Sequence, residues 1–138
     1  MDAPERFEQL IAFLTSHLEE PVEQQSGTDG SITFTSGVPG EVVVHLTENS
    51  VDVAEFAGAW ETPHAFLVRP RRIGLLKWRR LPENELFNAL GHLIKGARDA
   101  RRARYRTCRY CAASNPPEWM QTADVCTECA ARQMDLVH

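Results

Sequence analysis

The sequence predicts an α+β fold: an antiparallel β-meander covered by an N-terminal helix and a long helix, then a small C-terminal module built on four cysteines. Apolar residues recur at helical spacing near the N-terminus and again from Leu86 to Ala97. Short β-branched runs, punctuated by turn residues, lie between those two stretches. All four cysteines fall beyond residue 107, as two CxxC pairs. The order α-β-β-β-(β)-α suits a layer in which helices cover one face of a sheet. Residues 1–106 are expected to form the α+β part and residues 107–138 the module.

In chain order, Phe7, Leu10, Ile11, Leu14 and Leu18 make one apolar stripe, an amphipathic helix over residues 4–20. Pro4 suits its first turn, just after Asp2 or Ala3, and Pro21 forces its end, because the residue before a proline leaves the α region. Residues 24–30 are polar and contain glycine, so a loop is expected. Residues 31–36 alternate Ile32 and Phe34 with polar neighbours, residues 37–40 turn, and residues 41–47 are β-branched. Glu48, Asn49 and Ser50 turn the chain again into Val51 and Val53, with Phe56 at the end of that run. Residues 64–68 and 73–78 supply one or two further strands. Pro82, Glu83 and Glu85 open a long helix, with acidic side chains at the positive end of its dipole. Leu86, Phe87, Leu90, Leu93, Ile94 and Ala97 form its apolar face, Gly91 and Gly96 offer close packing, and the helix is expected to run over residues 83–106 straight into the first cysteine pair.

At 138 residues, with 43% hydrophobic and 25% charged side chains, the chain fits one soluble core with a small appendage. No run reaches the roughly 18 apolar residues of a membrane span. The first residues carry no basic stretch followed by an apolar one, so a cytoplasmic, reducing setting is expected. In such a setting paired CxxC motifs are metal ligands more often than disulfides. The net charge of −4 hides an asymmetry. Residues 1–67 hold twelve acidic side chains and one basic one; residues 68–110 hold thirteen basic and three acidic. Such a split implies either an acidic partner for the middle segment or attraction between the two halves.

Cys108 and Cys111, Cys126 and Cys129 stand as CxxC…CxxC with fourteen residues between the pairs. Each turn aims two thiolates at one point, and the two together surround a single Zn²⁺ tetrahedrally. Four sulfur ligands leave no open position for water, so the zinc is structural. Iron, or an iron–sulfur cluster, suits the same ligands. A redox CxxC needs only one pair and a βαβ context. Residues 130–134 favour helix, which places the second pair at a helix start, where the dipole stabilises thiolate. Arg106, Arg109 and Arg132 lie near enough in sequence to offset the charge of a ZnS₄ centre. Trp119, Met120 and Val125 are expected to make a miniature core, and zinc, at about 10 kcal/mol of binding energy, to hold a module too small to fold by burial alone.

Residues 108–129 with the short helix that follows resemble a Cys₄ finger of the treble-clef or zinc-ribbon type. In the treble-clef version, a knuckle gives the first pair and a helix start the second. The resemblance covers only residues 107–138; residues 1–107 carry none. The chain departs from it at Ala112, where the residue after a knuckle's second cysteine is often glycine, free to take positive φ.

Arg98, Arg102, Arg106 and Arg109 would share one stripe if the helix persists, with Arg101 beside them. Eleven of the thirteen basic residues in 68–110 are arginine, which favours bidentate contact with carboxylate or phosphate. The expectation is a binding or adaptor protein that uses Arg98, Arg101, Arg102, Arg106 and Arg109 to meet an acidic protein surface or to self-associate. The alternative is a nucleic-acid-binding regulator using the same stripe with Tyr105, Tyr110 and Trp119 for stacking; against it, the overall pI near 5.7 gives a repulsive field. An enzyme with a cleft near His64 comes third, since residues 60–64 place Glu61 and His64 in one loop. His17, His45, His92 and His138 are scattered. No phosphate-binding loop, dinucleotide fingerprint, HExxH or GxSxG motif accompanies them.

Overall fold

The computed structural model of the protein describes residues 3–137, so Asp2 and His138 lie outside the described residues. Helix α1 (Ala3–His17) leads into strands β1 (Val22–Ser26), β2 (Ile32–Ser36), β3 (Val42–Leu46) and β4 (Val51–Glu55). A hairpin of β5 (Gly58–Thr62) and β6 (Ala65–Val68) follows, then β7 (Arg71–Leu76), a 3-10 turn at Trp78–Arg80 and the long helix α2 (Glu83–Ala103). The C-terminal segment, called the module below, holds β8 (Arg106–Thr107), β9 (Ser114–Asn115), a 3-10 turn at Pro117–Trp119 and α3 (Thr127–Val137).

The main sheet is antiparallel with order β1-β2-β3-β4-β7. Period-2 alternation sends Phe34, Val42, Val44, Leu46, Val51 and Val53 inward, all fully buried. They meet Leu10, Leu14 and Leu18 of the N-terminal segment and Leu86, Leu90, Ile94 and Ala97 of α2. Both long helices therefore cover one face, as the sequence predicts. The opposite face is mixed: Val43, Ala54 and Leu75 stand there beside polar pairs, with Thr33 Oγ1 3.0 Å from His45 Nδ1 and Arg72 Nε donating to Asp52 Oδ2 at 2.9 Å. Trp78 seals one end of the core, its indole N–H donating to the Thr47 carbonyl at 2.9 Å.

The structure departs from the sequence reading at four places in this framework. Residues 24–26, expected in a loop, belong to edge strand β1, which is held by its ladder with β2 rather than by burial. Residues 60–62, also expected in a loop, lie in β5. Close helix–sheet packing occurs at a strand glycine: a Cβ on Gly74 would stand 2.7 Å from Leu93, whereas Gly91 faces open space. Last, α2 stops at Ala103 instead of continuing to residue 106. Its final amides make i→i−3 bonds, Arg104 N–H to Arg101 O and Tyr105 N–H to Arg102 O, both at 3.1 Å, which tighten and end the helix. Arg104 is drawn to the buried Glu55 carboxylate at 3.1 Å, and the chain leaves as β8.

Candidate metal centre

Cys108 begins a knuckle between β8 and β9, which pair as Arg106 with Asn115 and Thr107 with Ser114. The turn closes through Ala112 N–H to Cys108 O at 2.8 Å and Cys108 N–H to Ala113 O at 3.0 Å. Ala112 takes φ 62, the left-handed conformation that glycine usually supplies at this position. The 3-10 turn then leads to a bridge between Met120 and Cys126, and the Arg109 amide donates to Asp124 O at 2.8 Å across the loop. Cys126 immediately precedes α3 and its carbonyl accepts the Ala130 amide, so Cys129 sits in the first helical turn. A knuckle thus supplies the first cysteine pair and a helix start the second.

The four Sγ atoms lie within 4.8 Å of one another, and Cys111 Sγ is 3.9 Å from Cys126 Sγ. Zinc–sulfur bonds of about 2.3 Å at tetrahedral angles place sulfurs ~3.8 Å apart, so a small contraction of this cluster fits a metal ion. Cys108, Cys126 and Cys129 are buried; Cys111 is exposed. Tyr110 N–H points at Cys108 Sγ and Cys129 N–H at Cys126 Sγ, each at 3.4 Å. The Cys126 and Cys111 backbone amides hold the Cys108 thiol down to about 6. Neighbouring sulfurs, Cys126 first, and burial push Cys129 up to about 12. Four thiols this close cannot all ionise in one another's field, and a divalent cation removes that conflict. Around them Val125 is buried and Met120 partly so, but Trp119, expected in this miniature core, is 46% exposed. Its carbonyl, not its ring, serves the module, accepting from Thr127 Oγ1 at 2.9 Å.

The arginines of α2 are engaged within the chain. Arg101 is 2% exposed; its guanidinium pairs with both oxygens of Glu118, its Nε donates to Gly40 O at 3.0 Å, and it lies over the Phe56 and Tyr105 rings. Arg102 donates to Glu19 at 2.8 Å and to Glu41 at 3.1 Å, and Arg98 pairs with Glu19 at 3.5 Å. Arg106 and Arg109 lie beyond the helix end, so the four-residue stripe is broken. Arg109 stacks on Tyr110 and lies 3.6 Å from Asp124, while Arg132 pairs with Glu128 in α3. Arg106 is exposed and bonds only to the Tyr105 carbonyl among the described contacts. No helix among the described residues is long and apolar enough to cross a membrane.

Glu118, which the sequence does not single out, ties the cysteine-bearing segment to α2 and to β5. Glu118 reaches Arg101 through its carboxylate and accepts the Trp60 indole N–H through its carbonyl at 3.0 Å. Between β5 and the module lies a cleft of about 960 Å³, lined by Trp60, Glu61, Trp119, Met120, Gln121 and Glu128 among others. His64 is exposed and outside the lining; among the described residues no polar partner meets its imidazole. Comparison with protein-family models, with curated proteins and with solved structures finds no match to this chain.

Proposed function

We propose that this chain is a binding or adaptor protein whose C-terminal module, residues 107–138, folds around one structural Zn²⁺ held by Cys108, Cys111, Cys126 and Cys129. The observation that carries the reading is the convergence of four sulfurs within 4.8 Å on a knuckle and a helix start. Four protein ligands fill a tetrahedral sphere, leaving no position for a reacting water. Thiolate sulfur selects zinc or iron over hard cations. Free thiols fit a reducing, cytoplasmic setting. Elemental analysis of freshly purified protein with thiol counting tests this: one zinc per chain and protected thiols are expected. No stoichiometric metal with four freely labelled thiols overturns it, and stoichiometric iron replaces the metal.

The charge asymmetry is answered largely inside the chain, where Glu19, Glu41, Glu55 and Glu118 meet Arg98, Arg101, Arg102 and Arg104. An acidic partner or a second copy binding α2 would have to displace those carboxylates. A nucleic-acid-binding reading is favoured only by Arg106, Arg109 and the 50%-exposed Tyr110 beside the knuckle.

A further inference from the structure

We infer that the cleft between β5 and the module receives a cationic side chain, arginine or lysine, carried on a basic peptide segment of a partner. Two large aromatic residues are half-exposed at this place, Trp60 at 53% and Trp119 at 46%. Exposed tryptophan is costly to leave in water and is the ring that attracts cations best. Both are held by main-chain anchors. The Trp60 indole N–H is fixed on the Glu118 carbonyl, and Trp119 belongs to the turn whose carbonyl binds Thr127. The Trp60 ring and the backbone that carries Trp119 are thus set before any ligand arrives, which lowers the ordering cost of binding.

The sign of the ligand follows from the lining. Glu61, Glu118 and Glu128 line the cleft, and among the described lining residues none is basic. Cys126 also faces it, so the charge of a ZnS₄ centre, net −2, adds to the field; this term rests on the zinc reading. The whole chain carries −4 before metal is counted, which attracts cations and repels phosphate. Glu61 is paired with Arg69 at 3.3 Å and Glu128 with Arg132, but these four side chains are 56–74% exposed. Exposed pairs contribute little and exchange readily, so an incoming cation over the rings can displace them. Glu118 stays committed to Arg101 and acts as wall rather than ligand. Asn115, Gln121, Thr62 and Thr127 supply neutral donors and acceptors for a peptide backbone. A volume of about 960 Å³ exceeds what one side chain fills, which is why the occupant is a segment.

The test uses the full-length protein after its zinc content has been measured, so that a missing metal and a missing ligand are read separately. A capped pentapeptide with central arginine is titrated while the three indole N–H resonances are followed. A saturable shift at Trp60 and Trp119, with the buried Trp78 unmoved, is expected. The glutamine version of the peptide should bind about two- to thirtyfold more weakly, the range of a cation–π contact. Trp119→Leu, whose ring the module core does not use, and Glu61→Gln with Glu128→Gln should each weaken the arginine peptide. Equal binding of the arginine and glutamine peptides, or no saturable shift at either tryptophan in zinc-loaded protein, overturns the inference. So does a short RNA that moves both indoles where the arginine peptide does not.

Discussion

Glu118→Ala isolates the contact that joins the cysteine-bearing segment to α2. Both side chains of the pair are buried, 2% exposed for Arg101 and 7% for Glu118. Removing one partner of such a pair strands the other charge, at a cost of about 3–5 kcal/mol. Arg101 keeps the Gly40 carbonyl at 3.0 Å and two ring faces 5.1 and 5.4 Å away, which places the expected loss at the lower end, about 3 kcal/mol. Urea unfolding at fixed zinc is the assay. With a slope of about 1–3 kcal/mol per molar, the midpoint should fall by at least about 1 M. The double variant Arg101→Met with Glu118→Leu should recover most of the loss, since an apolar pair of similar size is near neutral against a buried ion pair. A loss under about 1 kcal/mol for Glu118→Ala, with metal content unchanged, would refute the reasoning, because the pair would then be worth no more than one on the surface.

Four further outcomes are expected. Cys126→Ser, or a strong chelator, should abolish metal binding and the amide dispersion of residues 107–137 while the β2–β4 resonances persist; an ordered tail without metal would refute the metal-dependent fold. Ala112→Gly relieves the left-handed backbone and should tighten metal binding up to about tenfold, on the order of 1 kcal/mol; weaker binding in a competition assay contradicts it. A Cβ on Gly58 would stand 2.5 Å from the Leu67 carbonyl, so Gly58→Ala should cost about 1–3 kcal/mol, whereas Gly91→Ala, in open space on α2, should stabilise by about 0.5–1 kcal/mol in the same melts. Short RNA or DNA at ~50 mM salt should bind weakly at most; tight binding that falls steeply with salt would restore the nucleic-acid reading.

What the sequence discloses is what burial writes into it. Phe34, Val44 and Val53 sit inward on alternating positions, and Leu10, Leu14, Leu86, Leu90 and Ile94 at helical spacing, so α1, β2, β3, β4 and α2 are legible. Strand β1 is not, because Glu23, Gln24, Gln25 and Ser26 are all exposed and only the backbone ladder to β2 makes them a strand. Strand β5 is similar, since every one of its residues is exposed, whereas its partner β6 (Ala65–Val68) falls on a run that the sequence does offer. The end of α2 is hidden for another reason. Residues 101–106 are good helix formers, and the stop comes from Glu55 capturing Arg104 and from β8 pairing, which are tertiary events. At the site, CxxC spacing discloses all four sulfurs because the chemistry demands that spacing. Glu118 leaves no such trace, being one acid in a proline-bearing loop seventeen residues beyond the arginine it serves. Trp119 misleads in the opposite direction, since a large apolar ring reads as core by default and here faces the cleft.

A guanidinium roofed over by a neighbouring structure depends on how that roof fails. Were the tail absent altogether, Arg101 would open to water and its charge would be hydrated at small cost. A tail that folds correctly but carries the wrong residue at 118 keeps the solvent out and leaves the ion without a counterpart. For the stability of the helix that carries Arg101, losing Glu118 alone is therefore more damaging than losing the whole segment from residue 107 onward.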